Sequence, residues 1–231
     1  MRVIELSLTN ICNGYCSYCP YVSPKKAIYM NDEIIDEIVN IIPKFGTDEI
    51  HLAGMCEPTL HPNYLKIANR LTNLCKVEIA TNAIDVTHLR ELDEKIIVSI
   101  HKLKNMSTLY YSTIKIMERL LKNYYIEEVV EEEMYSRCGK VFRVELRLAK
   151  NCLYIEDSYE HDYLNDRILI DCNGDVLLCC FDWDKKKFGN ILNDSFDKII
   201  KKRKEYLEDM RLQTNVHSND FPCFKCENGK E

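Results

Sequence analysis

The chain has no apolar run of membrane-spanning length and no stretch built like an export signal. A helical bilayer crossing needs about 20 such residues, so the expected address is the cytoplasm and no membrane partner is expected. A surplus of positive charge is missing too. The formal net charge is −6, which leaves no overall basic field for a nucleic acid, and the basic runs 184–188 and 201–205 read as solvated surface. Internal repeats are absent. The last absence is local: no residue from Arg2 to Pro43 is a histidine, and no cysteine stands between Cys19 and Cys56.

Cysteine itself is abundant, with 12 in 231 residues. In a small secreted domain that number reads as a disulfide framework; in a longer chain without an export signal it reads as metal or cluster ligation. A hydrophobic content of 46% supplies a core for one large domain, or for one domain with a small appendage.

Periodicity alternates between two and 3.6 along the first two thirds. "RVIELSL" puts Ile4, Leu6 and Leu8 on one strand face. Asn31 caps a helix carrying Ile34, Ile35, Ile38, Ile41 and Ile42, which Pro43 and Gly46 stop. "DEIHLAG" is a strand, Pro62 opens a helix with Leu65, Ala68, Leu71 and Cys75 on one face, and "KVEIAT" is a strand again. "VTHLREL" reads as a short helix, "KIIVSI" as a strand and the stretch after Ser107 as an amphipathic helix. Residues 126–140 fit either a strand with a ragged connection or a helical continuation; "FRVELRL" is a sixth strand by alternation. Strand and helix trading places predicts an α/β fold with a parallel sheet. After Asn151 the pattern changes to an acidic stretch and then "RILIDCNGDVLLCC", where Asn173-Gly174 reads as a two-residue hairpin turn, followed by a helix near Ser195 to Met210. The division expected is 1–151 and 152–231.

Cys12, Cys16 and Cys19 follow the first strand directly. Thiolates two or three residues apart on a short loop can wrap an iron–sulfur cluster, whereas zinc would recruit a fourth nearby Cys or His. Three thiolates on a four-iron cubane leave one iron open to a small molecule. A structural metal clip completed by a remote residue is the other reading.

CxxxCxxC with Tyr18 before the third cysteine resembles the signature of radical S-adenosylmethionine (SAM) enzymes. That resemblance implies a partial (β/α)6 TIM-like barrel and a [4Fe–4S] cluster on Cys12, Cys16 and Cys19, with Tyr18 near the adenine. It implies that the open iron binds the methionyl group of SAM and that reductive cleavage yields a 5′-deoxyadenosyl radical, which takes hydrogen from substrate. "HLAGMCEPTLHP" resembles the segment that holds the methionyl amino group, with Gly54, Glu57 and Pro58 matching. Cys56 departs from the usual glycine, either as a tolerated small residue or as a thiol beside the radical. "ATNAI" and "VSIHKL" place Asn82 and Ser99 where cofactor contacts are expected, although turn and strand-end hydrogen bonding also explains them. Order along successive strand ends is what a barrel site requires.

The tail resembles the SPASM or twitch extensions of the same superfamily, small hairpin-and-helix modules with one auxiliary cluster here. Cys179, Cys223 and Cys226 fit that pattern. Two residues compete for the first ligand. If Asn173-Gly174 is the turn, Cys172 pairs opposite Asp175 and lies four ladder positions from Cys179, about 13 Å at the usual rise, so Cys152 is preferred. Cys179 and Cys180 face opposite ways on a strand, and one of them ligates. The same four thiols could hold zinc. Cys75 reads as core, and Cys138 as a loop thiol or a hydrogen-atom donor.

The resemblance implies an enzyme that modifies a peptide or protein side chain. The alternatives are radical dehydrogenation of a small alcohol or aminocyclitol, and an iron–sulfur electron carrier or zinc-binding protein. A first cysteine at position 12 leaves no room ahead of the barrel for a leader-peptide-binding domain, which trims the peptide reading. A flavodoxin- or ferredoxin-type reductant is the expected redox partner.

Overall fold

The computed structural model describes residues 1–14, 16, 19–86, 88–103, 106–128, 151–152, 166–180, 182–183, 185–212 and 229–230. Five strands run parallel in sequence order: β1 (Val3–Leu6), β2 (Glu49–Leu52), β3 (Lys76–Thr81), β4 (Ile97–Lys102) and β5 (Tyr124–Glu128). The crossovers contain α1 (Asp32–Phe45), α2 (Tyr64–Leu71) and α3 (Thr108–Leu120). Between β3 and β4 the expected short helix is a single 3-10 turn, Leu89–Glu91. The predicted sixth strand, "FRVELRL", lies outside the described residues.

Local chemistry sets these elements. Asn31 accepts the Ile34 N–H at 2.9 Å and starts α1. Gly46, at φ 69°, ends it by donating to Ile42 O. Pro43 does not end the helix; it sits in the last turn, one turn earlier than the stop. Ile34, Ile35, Ile38, Ile41 and Ile42 are all buried, each contributing about 1.5–3 kcal/mol by leaving water.

Every barrel strand sends alternate residues to opposite faces. Ile4, Leu6, Ile50, Leu52, Val77, Ile79, Val98 and Ile100 enter the main core with the helices. Glu5, His51, Glu78 and Ser99 occupy the other face. A parallel sheet with both faces in apolar core reads as continuous hydrophobic runs; this alternation gives one helix-covered face and one polar concave face, the bore of a partial α/β barrel.

A short ladder pairs β6 (Asn151–Cys152) with a strand near the C-terminus, β10 (Gly229–Lys230), with Cys152 opposite Gly229. β7 (Arg167–Ile170) lies parallel to β1, on the edge opposite β2. The antiparallel strands β8 (Asp175–Leu177) and β9 (Lys187–Asn190) extend the sheet outward, and α4 (Phe196–Leu212) follows. One sheet of order β5-β4-β3-β2-β1-β7-β8-β9 therefore carries both the barrel strands and the hairpin.

The hairpin register differs from the sequence expectation by one residue. Ile170 faces Val176, so Asp171, rather than Cys172, stands opposite Asp175, and the loop is Cys172-Asn173-Gly174. Asp171 is the cause: its Oδ1 accepts the N–H groups of Asn173 at 2.9 Å and Asp175 at 3.1 Å. Gly174 at φ 84° completes the three-residue turn and bulge. Cys172 is thereby turned into the main core, 4% exposed. Among the described residues, no helix is long and apolar enough to cross a membrane.

Candidate functional site

The C-terminal end of β1 leads into the cysteine loop, and polar contacts close the neck of that loop. Asn10 Oδ1 accepts from Ile28 N at 2.8 Å while its Nδ2 donates to Lys26 O at 3.1 Å. Thr9 donates to Ile28 O at 2.7 Å. Inside the neck, Cys12 N donates to the Tyr21 hydroxyl at 2.9 Å and Glu57 N to Ile11 O at 3.0 Å. Asn82 Nδ2 reaches Asn13 Oδ1 at 2.9 Å and Cys12 Sγ at 3.8 Å. Gly14 N points at Cys12 Sγ, 3.3 Å away. The loop is thus tied to the ends of β2 and β3.

Gly14 marks the space that the sulfurs face. A Cβ there would lie 3.5 Å from Cys12 Sγ, 3.6 Å from Cys16 Sγ and 3.1 Å from Asn82 Nδ2. Two thiols and an amide therefore converge on a cradle kept open by a missing side chain. Burial pushes the Cys12 thiol up to about 11, so a metal bound there would have to displace its proton. Cys19 N closes a turn onto Cys16 O at 3.1 Å.

Gly54 and Glu57 define the second wall. Gly54 adopts φ 85°, and a Cβ on it would stand 2.2 Å from Ser7 Oγ. That oxygen accepts the Met55 N–H at 3.1 Å. Glu57 is 2% exposed and heavily hydrogen-bonded. Its Oε1 accepts from Thr59 N (3.2 Å), Thr59 Oγ1 (2.7 Å) and Thr81 Oγ1 (2.8 Å), and its Oε2 from Asn82 N at 2.8 Å. Burial raises its pKa and these four donors pull it down. One Oε2 acceptor position is left over for a ligand. Pro58 starts the 3-10 turn Pro58–Leu60 that presents the Thr59 amide. Asn82 also accepts the Ile84 N–H at its Oδ1 and the Tyr110 hydroxyl at its carbonyl, both at 2.9 Å. Ala83 holds φ 55°, the left-handed conformation that glycine adopts without strain.

Cys56 donates weakly to Ala53 O at 3.5 Å, and burial drives its thiol pKa far upward. It is a protonated small residue with a backbone acceptor. Ser99 lies mid-strand on β4 in register with Ala80, inside the bore. Cys179 packs against the main core and Cys180 against the separate Met55, Leu169 and Leu177 cluster, so the two face apart. Cys75 follows α2 and packs against the core. The backbone of Cys152 pairs with Gly229, three residues past Cys226 in sequence. Tyr18, Cys138, Cys223 and Cys226 lie outside the described residues.

The bore adds residues that the motif search did not single out. Arg167 Nη1 pairs with Glu5 Oε2 at 3.1 Å, and Lys76 Nζ with Glu49 Oε1 at 3.0 Å. Tyr125 donates to Glu78 Oε1 at 2.5 Å; burial first, then that carboxylate, push the phenol up to about 12. At the strand ends His101 Nε2 meets Glu127 Oε2 at 3.1 Å.

The family model described as the radical SAM superfamily matches residues 6–131, more than half of the chain, and the SPASM model, an iron–sulfur cluster-binding domain, matches residues 162–227. The chain belongs to the radical SAM superfamily. As a radical SAM enzyme it carries a SAM-binding [4Fe–4S] cluster and an auxiliary iron–sulfur cluster, and the open cradle of thiols at Gly14 fits the first of these. A GTP 3′,8-cyclase of Clostridium perfringens is 24% identical over 89% of this chain and 64% of that one. A GTP 3′,8-cyclase of Aquifex aeolicus is 29% identical over 45% of this chain and 36% of its own length. The chain thus spans under two thirds of these relatives. Among solved structures, BtrN in complex with AdoMet and 2-DOIA superposes with a TM-score of 0.73 at 16% identity, covering 99% of this chain and 93% of BtrN. Streptococcus suis SuiB bound to precursor peptide SuiA gives 0.62 at 13% identity, covering 97% of this chain and 69% of SuiB.

Proposed function

We propose that this radical SAM enzyme oxidises a small polar substrate held in the barrel bore. The observation that carries the reading is the polar share of the bore, where Glu5, Glu49, His51, Glu78, Ser99, Tyr125 and Arg167 stand on one face with Val3, Ile97 and Leu169 between them. Such a lining suits a hydroxyl-rich molecule, whose every polar group needs a partner once it leaves water. The near full-length superposition on BtrN supports a barrel of similar size.

Cys12, Cys16 and Cys19 hold the first cluster in this reading, leaving one iron for SAM. Gly54, Glu57, Pro58 and Asn82 position the methionyl group, and Tyr18 stacks near the adenine. Cys152, Cys179, Cys223 and Cys226 hold the auxiliary cluster. When bound, the two clusters supply single-electron chemistry, one electron given to cleave SAM and one accepted from the substrate. The chain's own work is positional and protonic. His101 Nε2 lies 3.1 Å from Glu127 Oε2, and this imidazole is the group assigned to receive the proton that an alcohol loses as it becomes a ketone. A flavodoxin- or ferredoxin-type protein is the reductant.

Peptide modification, the first expectation from the sequence, is the second reading; the superposition on peptide-bound SuiB over 97% of this chain favours it. Among the described residues of the bore, Arg167 and Lys76 are already paired with carboxylates, which does not favour a triphosphate substrate.

Anaerobically reconstituted protein with dithionite is expected to convert SAM to 5′-deoxyadenosine, and deuterium from a labelled amino or plain cyclitol is expected to enter that product. Label arriving only from peptides would transfer the assignment to the second reading. The hairpin geometry makes a further prediction. Cys152→Ala should lose about half of the iron, as one of two clusters. Cys172→Ala should keep its iron and unfold more easily, by about 1–3 kcal/mol for a small buried side chain. Iron analysis with thermal melts checks both, and equal iron loss contradicts the ligand set.

A further inference from the structure

The cysteine loop and the wall that carries Glu57 meet a second time, away from the cradle, at His61. This residue is 3% exposed, and both of its ring nitrogens are engaged with backbone. Nε2 lies 3.0 Å from Met30 O, and Nδ1 lies 3.1 Å from Asn63 N. A carbonyl only accepts and an amide N–H only donates, so Nε2 carries the proton and Nδ1 accepts. The ring is therefore neutral and held in one tautomer. Burial keeps the imidazole below its ordinary 6.5, against the Met30 carbonyl and Asp32, which pull it upward.

Each of the two bonds fastens a different segment. Met30 is the return end of the cysteine loop: its N–H donates to Leu8 O at 2.8 Å, and Tyr29 bridges to Thr9. Asn63 leads into α2, where His61 N donates to Pro58 O at 3.0 Å and Tyr64 N to His61 O at 3.1 Å. Pro58 begins the turn that presents the Thr59 amide and hydroxyl to Glu57. One imidazole thus spans the loop that carries the thiols and the turn that carries the carboxylate.

A second proton would disturb only one side. Nε2–H would keep Met30 O, but Nδ1–H would face the Asn63 N–H, donor against donor, and leave a buried amide unpaired. Among the described residues, the charged and titratable groups around the ring are Asp32 at the start of α1, Lys66 on α2, 3.5 Å from Asp32 Oδ2, and Tyr29. The Tyr29 ring meets the imidazole edge-on at 5.6 Å. Asp32 is largely exposed and shared with Lys66, so it is a weak counterion for an imidazolium.

We propose that His61 is a positioning residue for SAM, a neutral clasp that sets Glu57 against the cysteine loop and opens when the ring is protonated. This rests on the placement of the methionyl group at Glu57 and is independent of the substrate reading.

The test measures SAM dissociation from anaerobically reconstituted enzyme by equilibrium dialysis, without substrate, between about pH 5.5 and about pH 8, with iron counted at each pH. Wild-type enzyme should bind SAM about 3- to 10-fold more weakly at the acid end, with iron retained. His61→Gln places an amide N–H at the ε position, within reach of Met30 O, and should bind SAM near neutrality without weakening in acid. His61→Asn keeps an acceptor for the Asn63 N–H but cannot reach Met30, and should bind more weakly at every pH. A flat wild-type profile, acid weakening that survives in His61→Gln and so belongs to Glu57, or wild-type binding by His61→Asn would overturn the assignment. Thermal melts read the clasp without SAM. Because the fold lowers this histidine's pKa, the unfolded chain binds more protons below 6.5 and stability falls there as the pH falls. The stability gap between wild type and His61→Gln should therefore change with pH, and a constant gap contradicts the clasp. Glu57→Gln with wild-type SAM affinity would remove the methionyl placement instead, while the melts still report on His61.

Discussion

Cys12→Ala is expected to lose about four irons of about eight and to reduce 5′-deoxyadenosine formation to background, with helix content unchanged. The expectation follows from how this one sulfur is held. Its residue is fixed through its own N–H to Tyr21, through Ile11 O to Glu57 and through Asn13 to Asn82, so the loop stays in place whatever stands at position 12. What disappears is a thiolate that receives N–H groups from Gly14 at 3.3 Å and Asn82 at 3.8 Å. Among the described residues the nearby thiol of Cys56 offers no replacement, because it is engaged with Ala53 O and kept protonated by burial. Iron counting and product assay on the variant check the result. Wild-type iron content with wild-type turnover would contradict the ligand role.

Gly54→Ala is the second large effect, and it acts without touching a metal ligand. The new methyl would lie 2.2 Å from Ser7 Oγ and 3.3 Å from Leu169 Cδ1 on a residue at φ 85°. Left-handed backbone costs a non-glycine residue about 1–2 kcal/mol, and the overlap forces the segment that carries Glu57 to move. Displacing a positioning group by about 1 Å costs about 100-fold in rate. SAM affinity and 5′-deoxyadenosine formation should therefore fall about 100-fold while iron is retained. Adding Ser7→Ala removes the clashing oxygen and should recover part of the loss, because the nearest remaining atoms lie 3.3 and 3.4 Å away. A Gly54→Ala enzyme with wild-type kinetics would show that close backbone approach here is not required.

These effects trace back to features of very different visibility in the sequence. Helix α1 was legible because cap, stripe and stop are all local: Asn31, the isoleucines and Gly46 act within a turn or two of themselves. The cysteine loop and the glycine–glutamate segment were legible as motifs, since spacing alone carries them. The partners of Glu57 were not. Thr81 lies 24 residues away, and only the parallel register of β2 with β3 brings its hydroxyl within 2.8 Å. Tyr21 and Asn13 were hidden in the loop's own fold. Asp171 was overlooked because Asn-Gly outweighs it as a hairpin signal, yet its side chain sets the turn by capturing two backbone N–H groups. The polar bore was written into the strands as the residues between the apolar ones, but five strands have to be aligned before Glu5, His51, Glu78 and Ser99 become one surface.

The central claim is that the iron held near the N-terminus keeps one coordination position for SAM. Electron–nuclear double resonance on the reduced enzyme, with SAM carrying 15N in its methionyl amino group, tests it most directly. The account predicts a hyperfine coupling between that nitrogen and the cluster, lost in Cys12→Ala. A cluster with no coupling to the labelled nitrogen, or with a nitrogen or sulfur ligand from this chain at the fourth iron, would contradict it.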